Sequence, residues 1–275
     1  MISTGREDVL VEEFPSYLRE AVFGWMEGAV GADRGWVHAS KFIAFQNAAR
    51  IDIGFTAGSY MKWRETILPH LRKINDSDFT NLVDFLLSVQ YQSSGLVHPL
   101  ERILSDGGSA WTVIPWVGQK ARLTKRVPDG IRKSLDNVLS AKDTASQKLQ
   151  EAWIDAYGTN PRASVAYSHA VVAVETAALG IITVNTKDAT LGNLFAILES
   201  ETPKWKLILR DNDKAPGAKS LAAMLRTLWR GHESRHGRSD YEDATLDEAR
   251  AAVILAATLV QWFTSGVVVP VESTN

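Results

Sequence analysis

Thr245 and Glu248 stand three residues apart, ahead of an alanine-rich stretch whose apolar residues keep helical spacing to about Phe263. This is capping-box spacing: the Thr hydroxyl can accept the N–H three residues on, and the Glu carboxylate can reach back to the Thr N–H. Three further helix starts precede it. Asn160-Pro161 places a cap before a proline at the first helical position and predicts a helix to about Thr183. Thr190 caps a short segment through Leu198, and Ser220, after Pro216-Gly217, opens one with Leu221, Met224, Leu225 and Leu228 on one face. Helices with one apolar stripe each must cover it against one another. Joined by polar loops, these four predict an antiparallel bundle.

The first half has a different texture. Glu12 to Met26 and Ala39 to Ile51 carry helical apolar spacing, and Asp76-Ser77-Asp78 supplies caps before Phe79, Leu82, Val83, Leu86 and Leu87. Beyond the turn chemistry of Asp106-Gly107-Gly108 come two short β-favouring runs, 110–114 and 121–127, on either side of Pro115 and Gly118. They predict a small β-hairpin. Ser134 to Tyr157 is more polar and helical in character. The fold expected is therefore mainly α: an N-terminal helical domain with a small β element over residues 1–139, then a helical bundle over 140–275.

Composition narrows the chemistry. The 275 residues contain no cysteine, which removes disulfides, thiol nucleophiles and thiolate zinc sites. With 30 basic against 32 acidic residues, a uniformly basic nucleic-acid binder is excluded, but a local basic patch is not. Met1 to Phe14 carries four carboxylates and no apolar core, unlike a secretory signal. The run from Ala251 to Phe263 is too short to cross a bilayer. These readings lead to the expectation of a cytoplasmic protein with no membrane partner. Nine tryptophans are many for this length, and Trp36, His38, Trp63, Trp111 and Trp116 fall in the first half. Most are expected to fill the core; the sharper reading is a sensor or partner surface. Lys120, Arg122, Lys125, Arg126, Arg132 and Lys133 form a basic stretch that reads as a solvated face or as a track for an RNA backbone.

Chemistry-bearing residues concentrate in the second half. Val165, Ser168, Val172, Glu175, Leu179 and Ile182 fall on one heptad-like stripe, expected to face the bundle interior. A carboxylate there needs a partner; another helix is the expected source, and the run from Arg226 to Arg238 that follows the third helix is the candidate. From Arg226 to Arg238, thirteen residues hold four arginines and two of the six histidines, with Gly231 and Gly237 to end or bend a helix. Histidine moves protons near neutral pH and arginine forks onto phosphate, so the run suits phosphodiester chemistry.

Two motifs share these residues. His232-Glu-Ser-Arg-His236 matches H-E-x-x-H, which on a continuous helix would chelate zinc with Glu233 as base. Against it, Arg235 sets a cation between the ligands, Gly237 follows the second histidine directly, and only Glu242, Glu248 or Glu272 could serve as third ligand. The other motif is Arg230 and His236 separated by five residues and followed by Gly237. It resembles the Arg-x(4–6)-His signature of the HEPN superfamily. The run from Ala163 to Glu175 resembles that family's first core helix with its inward acid, and Leu191-Gly-Asn-Leu its second. Arg230 to Gly237 resembles the loop of the abortive-infection type C-terminal domain, and Leu246 to Phe263 its closing helix. The resemblance covers about residues 140–275. It implies a helical bundle and a metal-independent endoribonuclease of phage defence or toxin–antitoxin systems, with no cofactor, working as a homodimer on RNA. It also implies Arg230 and His236 as the catalytic pair and Glu175 as the orienting carboxylate. His232, Arg235, Gly237 and Arg238 would support the RNA, and the N-terminal half would meet an antitoxin or trigger. A HEPN-like bundle without catalysis, serving RNA binding or assembly, is the reading from another class.

Overall fold

In the computed structural model, which describes residues 10–56, 60–89, 95–115, 120–184, 186, 189–233 and 243–271, the chain is mainly helical and divides into two compact units, 1–127 and 128–275. The only sheets among the described residues are three antiparallel two-stranded ribbons.

In the first unit α1 (Ser16–Ala29) begins after Pro15, whose carbonyl accepts the N–H groups of Leu18 and Arg19. The apolar spacing starts at Glu12, but a helix begun there would carry Pro15 past its first turn, where the missing N–H and the ring are costly. α2 spans Ser40–Ala49; a single π-helical turn, Trp63–Ile67, runs into α3 (Leu68–Leu71). α4 (Asp76–Ser88) is capped by Asn75, whose side chain accepts the Asp78 N–H at 2.8 Å. Asp76 and Asp78 occupy its first turn, where the positive end of the helix dipole favours them. α5 covers Val97–Asp106.

Two ribbons complete this unit. β1 (Trp36–His38) pairs with β2 (Tyr60–Lys62). β3 (Trp111–Pro115) pairs with β4 (Ala121–Lys125), the hairpin expected from sequence, with Trp111 opposite Lys125 and Pro115 opposite Ala121. Phe79 of α4 centres the core, with the rings of Phe14 and Phe23 edge-on at 5.2 and 5.6 Å. Leu18, Val22 and Met26 of α1, Leu82 and Leu86 of α4, Leu100 and Leu104 of α5 and Leu123 of β4 are fully or almost fully buried around it. Each such side chain contributes about 1.5–3 kcal/mol by leaving water.

The basic stretch does not form a row of unpaired cations. Arg122 donates to both oxygens of the buried Asp84 at 2.7–3.1 Å, and the Leu123 N–H joins at 2.8 Å. Lys125 pairs with Glu12 and lies 4.1 Å over the Trp111 ring. Arg126 bonds Glu101 at 3.1 Å and the Ser109 carbonyl at 2.9 Å, and in the second unit Arg132 meets Asp136 at 3.1 Å. Carboxylates of the same chain pair with these four cations. Of the eight tryptophans described, Trp25, Trp63, Trp111 and Trp153 are buried, Trp205, Trp229 and Trp262 are half-buried and Trp36 is 46% exposed; Trp116 lies outside the described residues.

The second unit is helical, with one ribbon. α6 (Asp129–Leu139) and α7 (Thr144–Tyr157) are separate helices where the sequence suggested one. Asp143 breaks the run by capping α7: its carboxylate accepts the Ser146 N–H at 2.9 Å and the Ser146 hydroxyl at 2.7 Å. α8 (Ala163–Leu179) starts two residues after Pro161, because Arg162 is held in a non-helical conformation with its N–H donated to the Asp155 carbonyl at 2.7 Å. α9 (Leu191–Leu198) and α11 (Leu246–Thr264) begin on the expected caps, each with a complete capping box, Thr190 with Asn193 and Thr245 with Glu248. α10 spans Gly217–Glu233, and β5 (Trp205–Leu207) pairs with β6 (Val268–Pro270). α7, α8 and α11 pack on one another through alanines: Ala152 and Ala156, Ala166, Ala170 and Ala173, and Ala252 and Ala256 are all buried. Small side chains let these backbones approach closely. That corrects the expected inward stripe of α8. Its buried face is Ala166, Ala170, Val171, Ala173, Val174, Ala177 and Ala178, while Val165, Ser168, Val172, Glu175 and Leu179 lie half-buried on its flank. Ile182, beyond the helix end, is buried as expected.

Candidate functional site

α8, α9 and α10 meet around Trp229. A Cβ placed on Gly192, in the first turn of α9, would stand 3.4 Å from the Trp229 ring and 3.4 Å from the Thr190 hydroxyl. The indole thus lies flush against the start of α9. The Phe195 ring meets Trp229 edge-on at 5.5 Å, and Arg226 covers Phe195 at 4.3 Å while pairing with Glu199 at 2.7 Å. From the other side the Tyr167 hydroxyl of α8 donates to the Leu228 carbonyl at 3.0 Å. The last turns of α10 are therefore pinned to α9 by an aromatic contact and to α8 by a hydrogen bond. Arg230, Gly231 and His232 follow at once, in the final helical turn.

Glu175 belongs to this neighbourhood. Its Oε2 accepts the Leu191 N–H at 2.9 Å, the first helical N–H of α9. The inter-helix partner expected for this half-buried carboxylate is thus a backbone donor with a helix dipole behind it. Trp229 and Glu175 converge on the same turn of α9, one through Gly192 and the other through Leu191.

Arg235, His236, Gly237 and Arg238 lie outside the described residues, as does the second half of the H-E-x-x-H sequence; for Arg230 and His232 the backbone alone is described. Just past that stretch, Ser164 in the first turn of α8 donates to Asp243 at 2.8 Å and accepts the Ala244 N–H at 3.2 Å. Both flanks of the Arg/His run are consequently tied to α8: Leu228 to Tyr167, and Asp243–Ala244 to Ser164.

A second polar cluster joins α7 to α8, and sequence reasoning missed it. Asp155 is 5% exposed and accepts from Arg162 Nε and Nη2 at 2.9 and 2.6 Å, and from His169 Nδ1 at 3.0 Å. The other ring nitrogen of His169 stands 3.5 Å from Glu151, which Lys148 pairs at 2.7 Å. With both imidazole nitrogens directed at carboxylates, His169 locks two helices together rather than facing a substrate. The sequence does hold a signal for it: Arg162 and His169 are seven residues apart, the spacing of two helical turns, just after a lone aspartate at the end of the preceding helix. Nearby, burial pushes the Tyr157 hydroxyl pKa above its ordinary value, against the lowering influence of Arg250.

Among the described residues no group of three or more His, Asp or Glu is placed to hold a metal ion. No helix among the described residues is long and apolar enough to cross a membrane. Compared with protein-family models, curated proteins and solved structures, the chain matches none.

Proposed function

We propose that the second unit is a HEPN-type endoribonuclease that cleaves RNA without a metal ion and acts in phage defence or as a toxin. The observation that carries this reading is the double anchoring of the turn before Arg230, by Tyr167 on Leu228 and by Gly192 on Trp229. Phosphodiester cleavage needs its cation and proton carrier held to fractions of an ångström, and a helix end fixed from two sides meets that need. The Arg230…His236 pattern at that helix end, and Glu175 at the α9 terminus beside it, complete the support.

RNA brings its own nucleophile. The 2′-oxygen bonds to phosphorus as the bond from phosphorus to the 5′-oxygen breaks, leaving a 2′,3′-cyclic phosphate and a 5′-hydroxyl. His236 takes the 2′ proton or supplies one to the leaving oxygen. Arg230 neutralises charge gathering on the non-bridging oxygens. Glu175 is a positioning residue: by holding the first turn of α9 it sets the surface on which Trp229 rests, and with it Arg230. His232, Arg235, Gly237 and Arg238 support the RNA at its flanking phosphates. One Arg/His pair per chain makes half a site, so two copies related by a two-fold axis supply the acid and the base.

The test is incubation of purified protein with single-stranded RNA in EDTA, with and without the candidate trigger or partner. Cleavage to cyclic-phosphate ends that Arg230→Ala and His236→Ala abolish is the expected result. RNA bound but left intact, or cleavage lost in EDTA and restored by zinc, would overturn the reading.

A further inference from the structure

The β1–β2 ribbon presents four side chains on one outward face. Its pairing sets Trp36 opposite Lys62 and His38 opposite Tyr60, with Val37 turned inward and buried. Trp36 is 46% exposed and Tyr60 69% exposed, the most exposed of the large apolar side chains described. They are held in place rather than loose. Lys62 Nζ stands 5.6 Å from the Trp36 ring centre, and the His38 ring meets Tyr60 edge-on at 5.1 Å. The Ser40 N–H donates to His38 Nδ1 at 3.3 Å, which fixes the imidazole. Below the ribbon, Val37 and Trp63 enter the core, and the Trp63 N–H donates to the Gly35 carbonyl at 2.8 Å.

The turn leading into β1 adds a cation. Asp33 and Trp36 exchange both backbone hydrogen bonds at 2.9 Å, while Arg34 and Gly35 between them take φ of 50° and 80°. Two successive left-handed residues are the geometry of a tight hairpin turn in which glycine or asparagine is the ordinary occupant. An exposed arginine there carries backbone strain that a glycine would not, and such strain gathers at functional positions.

We infer that this face is a stacking platform for single-stranded nucleic acid, in which Trp36 and Tyr60 each take one unpaired base and Lys62 and Arg34 meet the phosphates between and beside them. Trp36 and Tyr60 are diagonal neighbours across the ribbon, about 7–8 Å apart in backbone terms. That is wider than the ~3.4 Å per-nucleotide repeat of a stacked strand, so it suits bases splayed onto separate rings. The four outward side chains include no carboxylate. Asp33 beside Arg34 and Glu65 beside Arg64 offset the flanking charges, so stacking carries more of the binding than charge does. This inference stands apart from the nuclease reading: it concerns the first unit and asks only for binding.

The experiment uses the full-length protein and fluorescein-labelled single strands of about twelve nucleotides, one of DNA and one of 2′-O-methyl RNA, neither of which a 2′-hydroxyl mechanism can cut. Binding is followed by anisotropy and by quenching of tryptophan emission. Trp36→Ala and Tyr60→Ala should each weaken binding roughly ten- to hundredfold, the range for loss of one base–aromatic stack. Arg34→Gly leaves the turn geometry intact and should weaken binding severalfold without lowering the melting temperature. The dependence of log K on log salt should stay shallow, with a slope of about −0.7 to −1.4 for one or two phosphate contacts. A stronger effect on 2′-O-methyl RNA than on DNA would assign RNA as the preferred strand, and equal effects would assign either. No binding, binding unaffected by Trp36→Ala and Tyr60→Ala, or a Trp36-dependent change of oligomeric mass without binding would overturn it, the last pointing to a second copy on this face.

Discussion

Removing the Glu175 carboxylate tests the link between α8 and α9 directly. Its Oε2 takes the first helical N–H of α9 at 2.9 Å, and the donor residue, Leu191, is fully buried. A hydrogen bond to a charged acceptor contributes about 1.5–3 kcal/mol, and half-burial places this one near the lower end. Truncation to alanine also leaves the Leu191 N–H without this acceptor, so Glu175→Ala should cost about 2 kcal/mol. Glutamine keeps an acceptor oxygen of the same reach and loses only the charge beside the helix dipole, so Glu175→Gln should cost about 0.5–1 kcal/mol. For a unit of this size, about 2–4 °C accompanies each kcal/mol, which predicts melting shifts of roughly 4–8 °C for alanine and 1–4 °C for glutamine. Circular dichroism melts give those shifts, and amide exchange at Leu191 should quicken far more in the alanine variant than in the glutamine one. Unchanged Leu191 exchange in Glu175→Ala, or a melting point within about 1 °C of the parent, would refute the account of Glu175 as the anchor of α9.

Two further outcomes follow from the same unit. Asp155→Ala removes the acceptor of both Arg162 and His169; because the Arg162 side chain is 64% exposed and can rehydrate, the loss should be about 2–3 kcal/mol rather than the larger cost of a fully enclosed pair, measured by urea unfolding. Burial pushes the Asp143 carboxyl pKa up, but the Ser146 N–H and hydroxyl outweigh it and hold the carboxyl below its ordinary value. A folded-state pKa below the unfolded one adds stability above the unfolded value of 3.8, which is lost as pH falls through the folded value. Asp143→Ala should therefore cost about 1 kcal/mol at pH 7, the usual loss for a helix cap, and clearly less at pH 3. An equal cost at both pH values would show that the carboxylate charge contributes nothing.

Elements bounded by local chemistry were readable from the sequence. Thr190 and Thr245 cap their helices, and the 110–127 region forms the hairpin, because capping and turn formation involve residues a few positions apart. The starts of α1 and α8 and the break between α6 and α7 were less legible. Arg162 is kept out of the helix by Asp155, seven residues earlier, and that bond exists only once the chain has folded back. Apolar spacing alone points to the wrong inward face of α8, because it weighs large apolar residues over alanines. Close packing against α7 and α11 selects alanines instead and moves Val165, Val172 and Leu179 to the flank.

For the candidate site, the order of residues along the chain already shows which types stand together: arginines and histidines in one short run, and a carboxylate in the middle of an apolar helix. What they lean on is set by the packing of the folded chain. Glu175 meets the backbone of α9 sixteen residues away, Tyr167 holds Leu228 across sixty-one, and Arg122, Lys125 and Arg126 are claimed by Asp84, Glu12 and Glu101. Helical spacing records which side chains share a face, but not which face of which neighbour will cover them. That choice rests on backbone approach distances and on long-range pairs, which become defined only when the helices pack.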